Sequence, residues 1–193
     1  AALWHELRVE LNIGHYLDLS GTAVGGVDRD GARRIARLKS GRYTIERPLQ
    51  VGALLAGDAD LAAGLSQYGD PLGEAFQLRD DVLGVFGQQE RTGKRVGDDL
   101  REGKPTLMLA VVRERAQGAE LDLLARVGDP DLDDQAVTDL QALFVSTGAL
   151  DVAEAEIAAL AGRAVTALPA LRLPPHADLA LRDLAAVVVA RDA

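Results

Sequence analysis

Through most of the chain, apolar residues recur at intervals of three and four, a spacing that puts them on one face of a helix. From Asp133 onward, Ala136, Val137, Leu140, Leu143 and Phe144 fall on such a face. Ile157, Leu160, Ala161, Ala164, Val165 and Leu168 repeat the pattern, and after Pro174-Pro175 so do Leu179, Leu184, Val187 and Val188. Val and Ile seldom alternate with polar residues, and neither Asn-Gly nor Asp-Gly sits between two alternating runs, so no hairpin is signalled. Toward the N-terminus a helix is predicted from Leu3 to about Tyr16. Asp28 is placed to cap a second helix running to about Ser40. A third is predicted over 42–56, interrupted or restarted near Pro48. A long apolar-periodic run spans 61–86, in which Asp70-Pro71 should kink or restart the helix. Residues 87–104 are rich in glycine and charge and read as an exposed, adaptable loop, with helix resuming at Pro105. The expected fold is an all-α bundle, and 193 residues suffice for one domain with one core.

Composition narrows the function classes. The chain is 48% hydrophobic and 26% charged, which argues against disorder. It has no cysteine, which excludes disulfide scaffolds and Cys-ligated zinc or iron–sulfur sites. With 21 basic against 30 acidic residues the net charge is −9, the wrong sign for broad attraction to nucleic acid. Its seven aromatics are too scattered for a base-stacking platform. The longest unbroken apolar stretch, Leu184 to Ala190, is too short to cross a bilayer, and no signal peptide is visible; a cytoplasmic chain is expected. An anionic small molecule would need local inversion of charge, from a few cations or from metal ions held on carboxylates.

The cations themselves point to such a place. Only three of the 21 are lysine, namely Lys39, Lys94 and Lys104, and the remainder are arginine. A compact ammonium on a flexible stem is thus confined to one part of the chain. Between these lysines lies Phe76-Gln77-Leu78-Arg79-Asp80-Asp81-Val82-Leu83-Gly84. On a helix Gln77, Asp80, Asp81 and Gly84 share one broad face, while Asp80 and Asp81 differ by roughly 100° around the axis and are expected to do different work. A helix carboxylate with open positions beside it suits Mg2+, which keeps several waters and binds substrate phosphates.

These residues resemble the trans-isoprenyl diphosphate synthase (polyprenyl synthetase) family. The stretch 76–84, followed by Thr92-Gly93-Lys94 and Gly97-Asp98-Asp99-Leu100-Arg101-Glu102-Gly103-Lys104-Pro105-Thr106, is similar to the family's second aspartate-rich motif and its following loop. Gly14-His15-Tyr16-Leu17-Asp18-Leu19 resembles the G-Q-x-x-D-L element, and Lys39-Ser40 the K-[TS] element. The wording is closest to bacterial geranylgeranyl or short-chain synthases. The resemblance implies an all-helical fold around a central cavity, a homodimer, Mg2+ as cofactor, and isopentenyl diphosphate and an allylic diphosphate as substrates. The allylic diphosphate ionises, the alkene of isopentenyl diphosphate attacks the carbocation, and a proton is lost to the departing diphosphate.

Carried over residue by residue, the resemblance makes Asp80 a Mg2+ ligand, with Asp81 supporting the metal site and bracing Lys94. Lys39 and Lys94 are expected to touch diphosphate oxygens and Lys104 to close from the loop, with Ser40 near the carbocation. Asp18, Tyr43, Phe76 and Gln77 line or support the pocket. Gly84 stands where the motif ends in aspartate, so a contact to the metal's water shell is expected to be lost. His15 replaces the usual Gln, and a hydrogen-bonded structural histidine is favoured there over a catalytic base. The family's first aspartate-rich motif is not found; Asp98-Asp99 and Asp133-Asp134 lie on the wrong side of the second. The chain is therefore expected to be residues 1–193 of the C-terminal portion of one synthase domain, inactive by itself. The alternative is a non-catalytic, regulatory subunit of a heteromeric synthase. A class I terpene cyclase would carry an Asn/Asp-Ser/Thr-Glu pattern, which is missing here.

Overall fold

The structure, a computed structural model, describes residues 2–87 and 95–190. Those residues are helical and contain no strand. In chain order, α1 (Ala2–Ala23) and α2 (Arg29–Ala36) are followed by a π-helical segment, Arg37–Glu46, and then by α3 (Arg47–Leu55) and α4 (Ala59–Gly64). The long α5 (Ser66–Phe86) precedes α6 (Asp98–Glu102), α7 (Leu107–Arg115) and α8 (Glu120–Leu124). After α9 (Asp134–Ser146) and α10 (Ala149–Ala167), a 3-10 turn (Leu168–Leu171) leads to α11 (Pro175–Ala190).

The bundle is organised around α5. A helix that is apolar on every side must be enclosed, and Tyr68, Leu72, Ala75, Leu78, Val82 and Val85 of α5 are all buried. Its most extensive neighbours are the π segment on one side and α10 on the other, the latter through Ala153, Ile157, Leu160 and Ala164. Buried Met108, Leu109, Val111 and Val112 of α7 belong to the same core. α11 is tied across α5 by two side chains: the Tyr68 hydroxyl donates to the Leu181 carbonyl at 2.7 Å, and Arg79 donates to the Val189 carbonyl at 2.9 Å. Arg79 also grips Glu154 of α10 with both terminal nitrogens, at 2.6 and 2.7 Å.

Helix identities agree with the periodicity; several boundaries do not. α1 runs seven residues beyond Tyr16. Asp28 caps α2, accepting from the Gly31 N–H at 2.7 Å. No break separates α2 from α3, because the π segment carries the chain through Ser40-Gly41-Arg42 without interruption, and Pro48 sits in the first turn of α3. α5 runs through Pro71; the interruption comes earlier, at Leu65 between α4 and α5. The expected loop 87–104 contains α6, whose Asp99, Leu100 and Arg101 are buried. Thr106, accepting from the Leu109 N–H, caps α7, so Pro105 precedes the cap. In α11 the buried residues are Ala185 and Val188, while Leu179, Leu184 and Val187 are exposed. Among the described residues no helix is long and apolar enough to cross a membrane.

Candidate functional site

The site forms where α1, the π segment and α5 cross, and glycine makes the crossings possible. A Cβ on Gly14 would come within 2.3 Å of the Lys39 backbone nitrogen, so α1 lies directly on the π segment there. On the opposite side, Gly41 of the π segment meets Gly73 of α5; a Cβ on Gly41 would lie 2.6 Å from the Gly73 carbonyl carbon. Backbone-to-backbone contact on both sides fixes where Lys39 and Ser40 stand relative to α1 and α5.

The result is an open cleft of about 510 Å³ lined by His15, Asp18, Lys39, Ser40, Tyr43, Thr44, Phe76, Gln77, Asp80 and Lys104. Helical spacing explains the selection: 15 and 18, 39, 40, 43 and 44, and 76, 77 and 80 are each one face of their helix. Lys39 Nζ donates to Asp18 Oδ1 at 2.9 Å, which holds the ammonium at the cleft wall. Lys104 is held by Asp99 and lies 3.2 Å from Glu102. Burial works against the Lys104 charge, but these two carboxylates outweigh it and hold its pKa above the ordinary lysine value. Two ammonium groups therefore enter the cleft of a chain that is acidic overall.

Asp80 and Asp81 separate as their 100° offset requires. Asp80 lines the cleft. Asp81 does not: it is 7% exposed, points into the interior, and accepts from Gln77 Nε2 at 2.8 Å. Burial pushes the Asp81 carboxyl up to about 7, against the opposing pull of Lys39 and the Gln77 hydrogen bond. Asp81 therefore touches the cleft through Gln77, whose amide it holds. Among the described residues no group of three or more acidic or histidine side chains converges on one point. Asp80 offers one carboxylate in an open cleft beside two ammonium groups, and that donor set fits Mg2+ held jointly with substrate phosphates, not a closed protein cage.

Eight residues singled out in the sequence come together here: Asp18, Lys39, Ser40, Tyr43, Phe76, Gln77, Asp80 and Lys104. Lys94, and with it the expected brace from Asp81, lies outside the described residues. Three participants were not expected. Thr44 lies one helical turn beyond Ser40 and joins the wall. His15 is exposed on the cleft and has no hydrogen-bond partner among the described residues, so it is not the hydrogen-bonded structural residue expected. The Asp99 carboxylate occupies the space beside Gly84, its Oδ2 2.0 Å from where a Cβ would be. A carboxylate therefore does reach the position of the missing motif aspartate, delivered from α6. The signals available in the sequence were the i, i+4 spacing from Ser40 to Thr44 and the glycine at 84 paired with an acidic α6.

Comparison with known proteins gives one consistent result. The family model described as polyprenyl synthetase matches residues 1–144. The chain is 34% identical over 152 residues to a geranylfarnesyl diphosphate synthase of Aeropyrum pernix, covering 77% of this chain and 46% of that protein. It is 30% identical over 180 residues to the octaprenyl diphosphate synthase of Escherichia coli strain K12, covering 93% and 55%. Among solved structures, a geranylgeranyl pyrophosphate synthase from Corynebacterium glutamicum, complexed with isoprenyl diphosphate and magnesium, superposes with a TM-score of 0.93 at 34% identity, covering 98% of this chain and 54% of that one. The chain thus spans about half the length of the relatives it matches.

Proposed function

Because the chain belongs to the polyprenyl synthetase family, we propose that it carries one side of the active site of a prenyltransferase that joins isopentenyl diphosphate to an allylic diphosphate. The observation that supports this most is the convergence of Lys39, Lys104 and Asp80 on one open cleft. Both ammonium groups line the space that an anion with several oxygens would enter, and Asp80 lines the same space. Mg2+ bound at Asp80 together with the substrate would neutralise charge on the departing diphosphate. Lys39 and Lys104 add fixed positive charge to the same leaving group, which gains more from them as its C–O bond breaks than before. The electron pair of that bond leaves with the diphosphate, the alkene pair of isopentenyl diphosphate forms the new carbon–carbon bond, and the resulting proton passes to the released diphosphate. Ser40 presents a hydroxyl oxygen, and Tyr43 and Phe76 present aromatic rings, to the cleft in which the carbocation forms.

Asp81 and Gln77 are positioning residues in this reading: the buried carboxylate fixes the Gln77 amide, which lines the cleft. The 193 residues constitute the C-terminal portion of the domain, with the first aspartate-rich motif supplied by the remaining portion, and the whole works as a cytoplasmic homodimer. Names of the relatives run from farnesyl to nonaprenyl diphosphate synthases. We take the product as short-chain, with geranylgeranyl diphosphate the first to be assayed in view of the similarity to the Corynebacterium enzyme. The test has two arms. The 193-residue chain alone, given isopentenyl diphosphate, farnesyl diphosphate and Mg2+, is expected to form no longer prenyl diphosphate, and robust product would overturn the incomplete-site reading. In the complete synthase, Asp80→Ala is expected to lower turnover by orders of magnitude, and near-wild-type turnover would overturn the assignment of Asp80.

A further inference from the structure

Lys104 reaches the cleft from the end of α6, so whatever fixes α6 also fixes that ammonium. Gly103, in the left-handed conformation, ends the helix and turns the chain back, and the Lys104 N–H donates to the Asp99 carbonyl at 3.1 Å. The Lys104 side chain is held by the Asp99 carboxylate, which fills the space beside Gly84. Lys104 and Asp99 are thus tied to α6 as one piece. A helix of five residues is not stable by itself, so the place of α6 is set by what it packs against.

Residues 99 and 101 stand about 200° apart around a helix axis, on opposite faces. Asp99 faces Gly84 and the site, whereas Arg101 faces the connection between α8 and α9 and does not line the cleft. The Arg101 side chain is 7% exposed and donates in three directions. Its Nε bonds the Leu132 carbonyl at 3.0 Å, Nη1 the Val96 carbonyl at 2.6 Å, and Nη2 the Asp134 carboxylate at 3.2 Å. One planar group therefore ties the residues that enter α6 to the residues that enter α9. The Gly128 N–H adds a bond to the Leu100 carbonyl at 2.8 Å, and Arg95 reaches the same Asp134 oxygen at 2.9 Å. An apolar side chain could fill this interior without the cost of burying a cation. What the guanidinium adds is direction, because its fork meets three acceptors that a single ammonium could not satisfy together.

Resting on the reading of the cleft as a diphosphate site, we propose that Arg101 is the positioning residue for Lys104. It moors α6 to the connection before α9 and so sets where the Lys104 ammonium meets the anion. The guanidinium does not touch the substrate; its effect passes through the lysine at the other end of the helix.

The test is a double-mutant cycle on the affinity of the 193-residue chain for inorganic diphosphate with Mg2+, built from Arg101→Lys and Lys104→Met. Arg101→Lys keeps the charge and loses the fork. It is expected to weaken binding roughly tenfold in the otherwise wild-type chain, the effect of about one charge-assisted hydrogen bond. Where Lys104 is already methionine, the further loss is expected to be less than about twofold. Equal losses in both backgrounds would mean general loosening of the fold, and no loss in either would mean that α6 holds its place without the fork; both outcomes overturn the proposal. Asp134→Ala is the milder variant, at a side chain 86% exposed, and it removes the carboxylate from Arg101 without disturbing the interior. It is expected to speed hydrogen exchange at the Lys104 amide roughly fivefold, the effect of about one hydrogen bond, while the amides of α10 exchange as before. Unchanged exchange at Lys104 would overturn the mooring. That measurement needs no ligand. A wild-type chain that fails to bind diphosphate would therefore overturn the reading of the cleft, and the Lys104 amide would still decide whether Arg101 places that residue.

Discussion

The contact between Gly41 and Gly73 holds the lysine-bearing segment against the aspartate-bearing helix, and Gly41→Ala tests how much depends on it. The added Cβ would lie 2.6 Å from the Gly73 carbonyl carbon, 2.7 Å from its oxygen and 3.0 Å from the Glu74 nitrogen. Ordinary contact begins near 3.4 Å. The two backbones must separate by about 1 Å, and all three obstructing atoms are main chain, so no side-chain rotation relieves the clash. Overpacking of this kind costs about 1–3 kcal/mol, and a backbone–backbone case belongs at the upper end. For a chain of this size each kcal/mol moves the melting temperature by about 2–4 °C, so Gly41→Ala is expected to melt roughly 6–12 °C below wild type. Gly52→Ala in α3 is the control: its Cβ meets nothing within 4 Å, and the change is expected to add about 0.5–1 kcal/mol through helix propensity. Differential scanning calorimetry or urea titration reads both. A Gly41→Ala melting temperature within 2 °C of wild type, or a loss as large at Gly52, would refute the reasoning, the tolerance being about one kcal/mol of stability.

Other perturbations act on single contacts. Arg79→Met removes both bonds to Glu154 and the bond to the Val189 carbonyl. A loss of about 2 kcal/mol is expected, with faster amide exchange at the end of α11; unchanged exchange there would contradict the pinning role. Glu10 is partly buried, which raises its pKa, but Arg47 and Arg42 outweigh burial and hold it below 4.5. A lowered folded-state pKa gives stability that is present above 4.5 and is lost as pH falls through the folded value. Glu10→Gln is therefore expected to flatten the acid limb of a stability–pH profile, and parallel wild-type and variant limbs would count against it. Lys104→Met removes one ammonium group from the cleft and one partner of buried Asp99. It is expected to lower both stability and diphosphate affinity, where unaltered affinity would exclude Lys104 from the site.

Much of the site was legible because helical spacing alone groups its members. Gln77 and Asp80 fall on one face, and the offset of Asp81 already assigned it different work, which the structure realises as burial against Gln77. The π segment was not legible, because it is set by contacts distant in sequence: Gly14 with Lys39, and Gly41 with Gly73. Pro71 misled because a proline in the second turn forfeits one hydrogen bond without obstructing the rest of the helix, and the packed surroundings of α5 outweigh that loss. α6 was hidden because a five-residue helix shows little periodicity; Leu100 plugs into the core, and Arg101 is held by the carbonyls of Leu132 and Val96. The spacing of the α11 stripe leaves core and a dimer surface both open; in the structure Leu184, Val187 and Val188 line a cavity, and the buried positions are Ala185 and Val188.

The central claim is that the cleft between the π segment and α5 is a Mg2+-dependent diphosphate site. Isothermal titration of the 193-residue chain with inorganic diphosphate, with and without Mg2+, measures it directly, using Asp80→Asn and Lys39→Met as the paired variants. Binding that needs Mg2+ and is weakened by both substitutions, with the Mg2+ dependence lost in Asp80→Asn, is the expected result. No binding, or binding indifferent to Mg2+ and to Asp80, would contradict the claim.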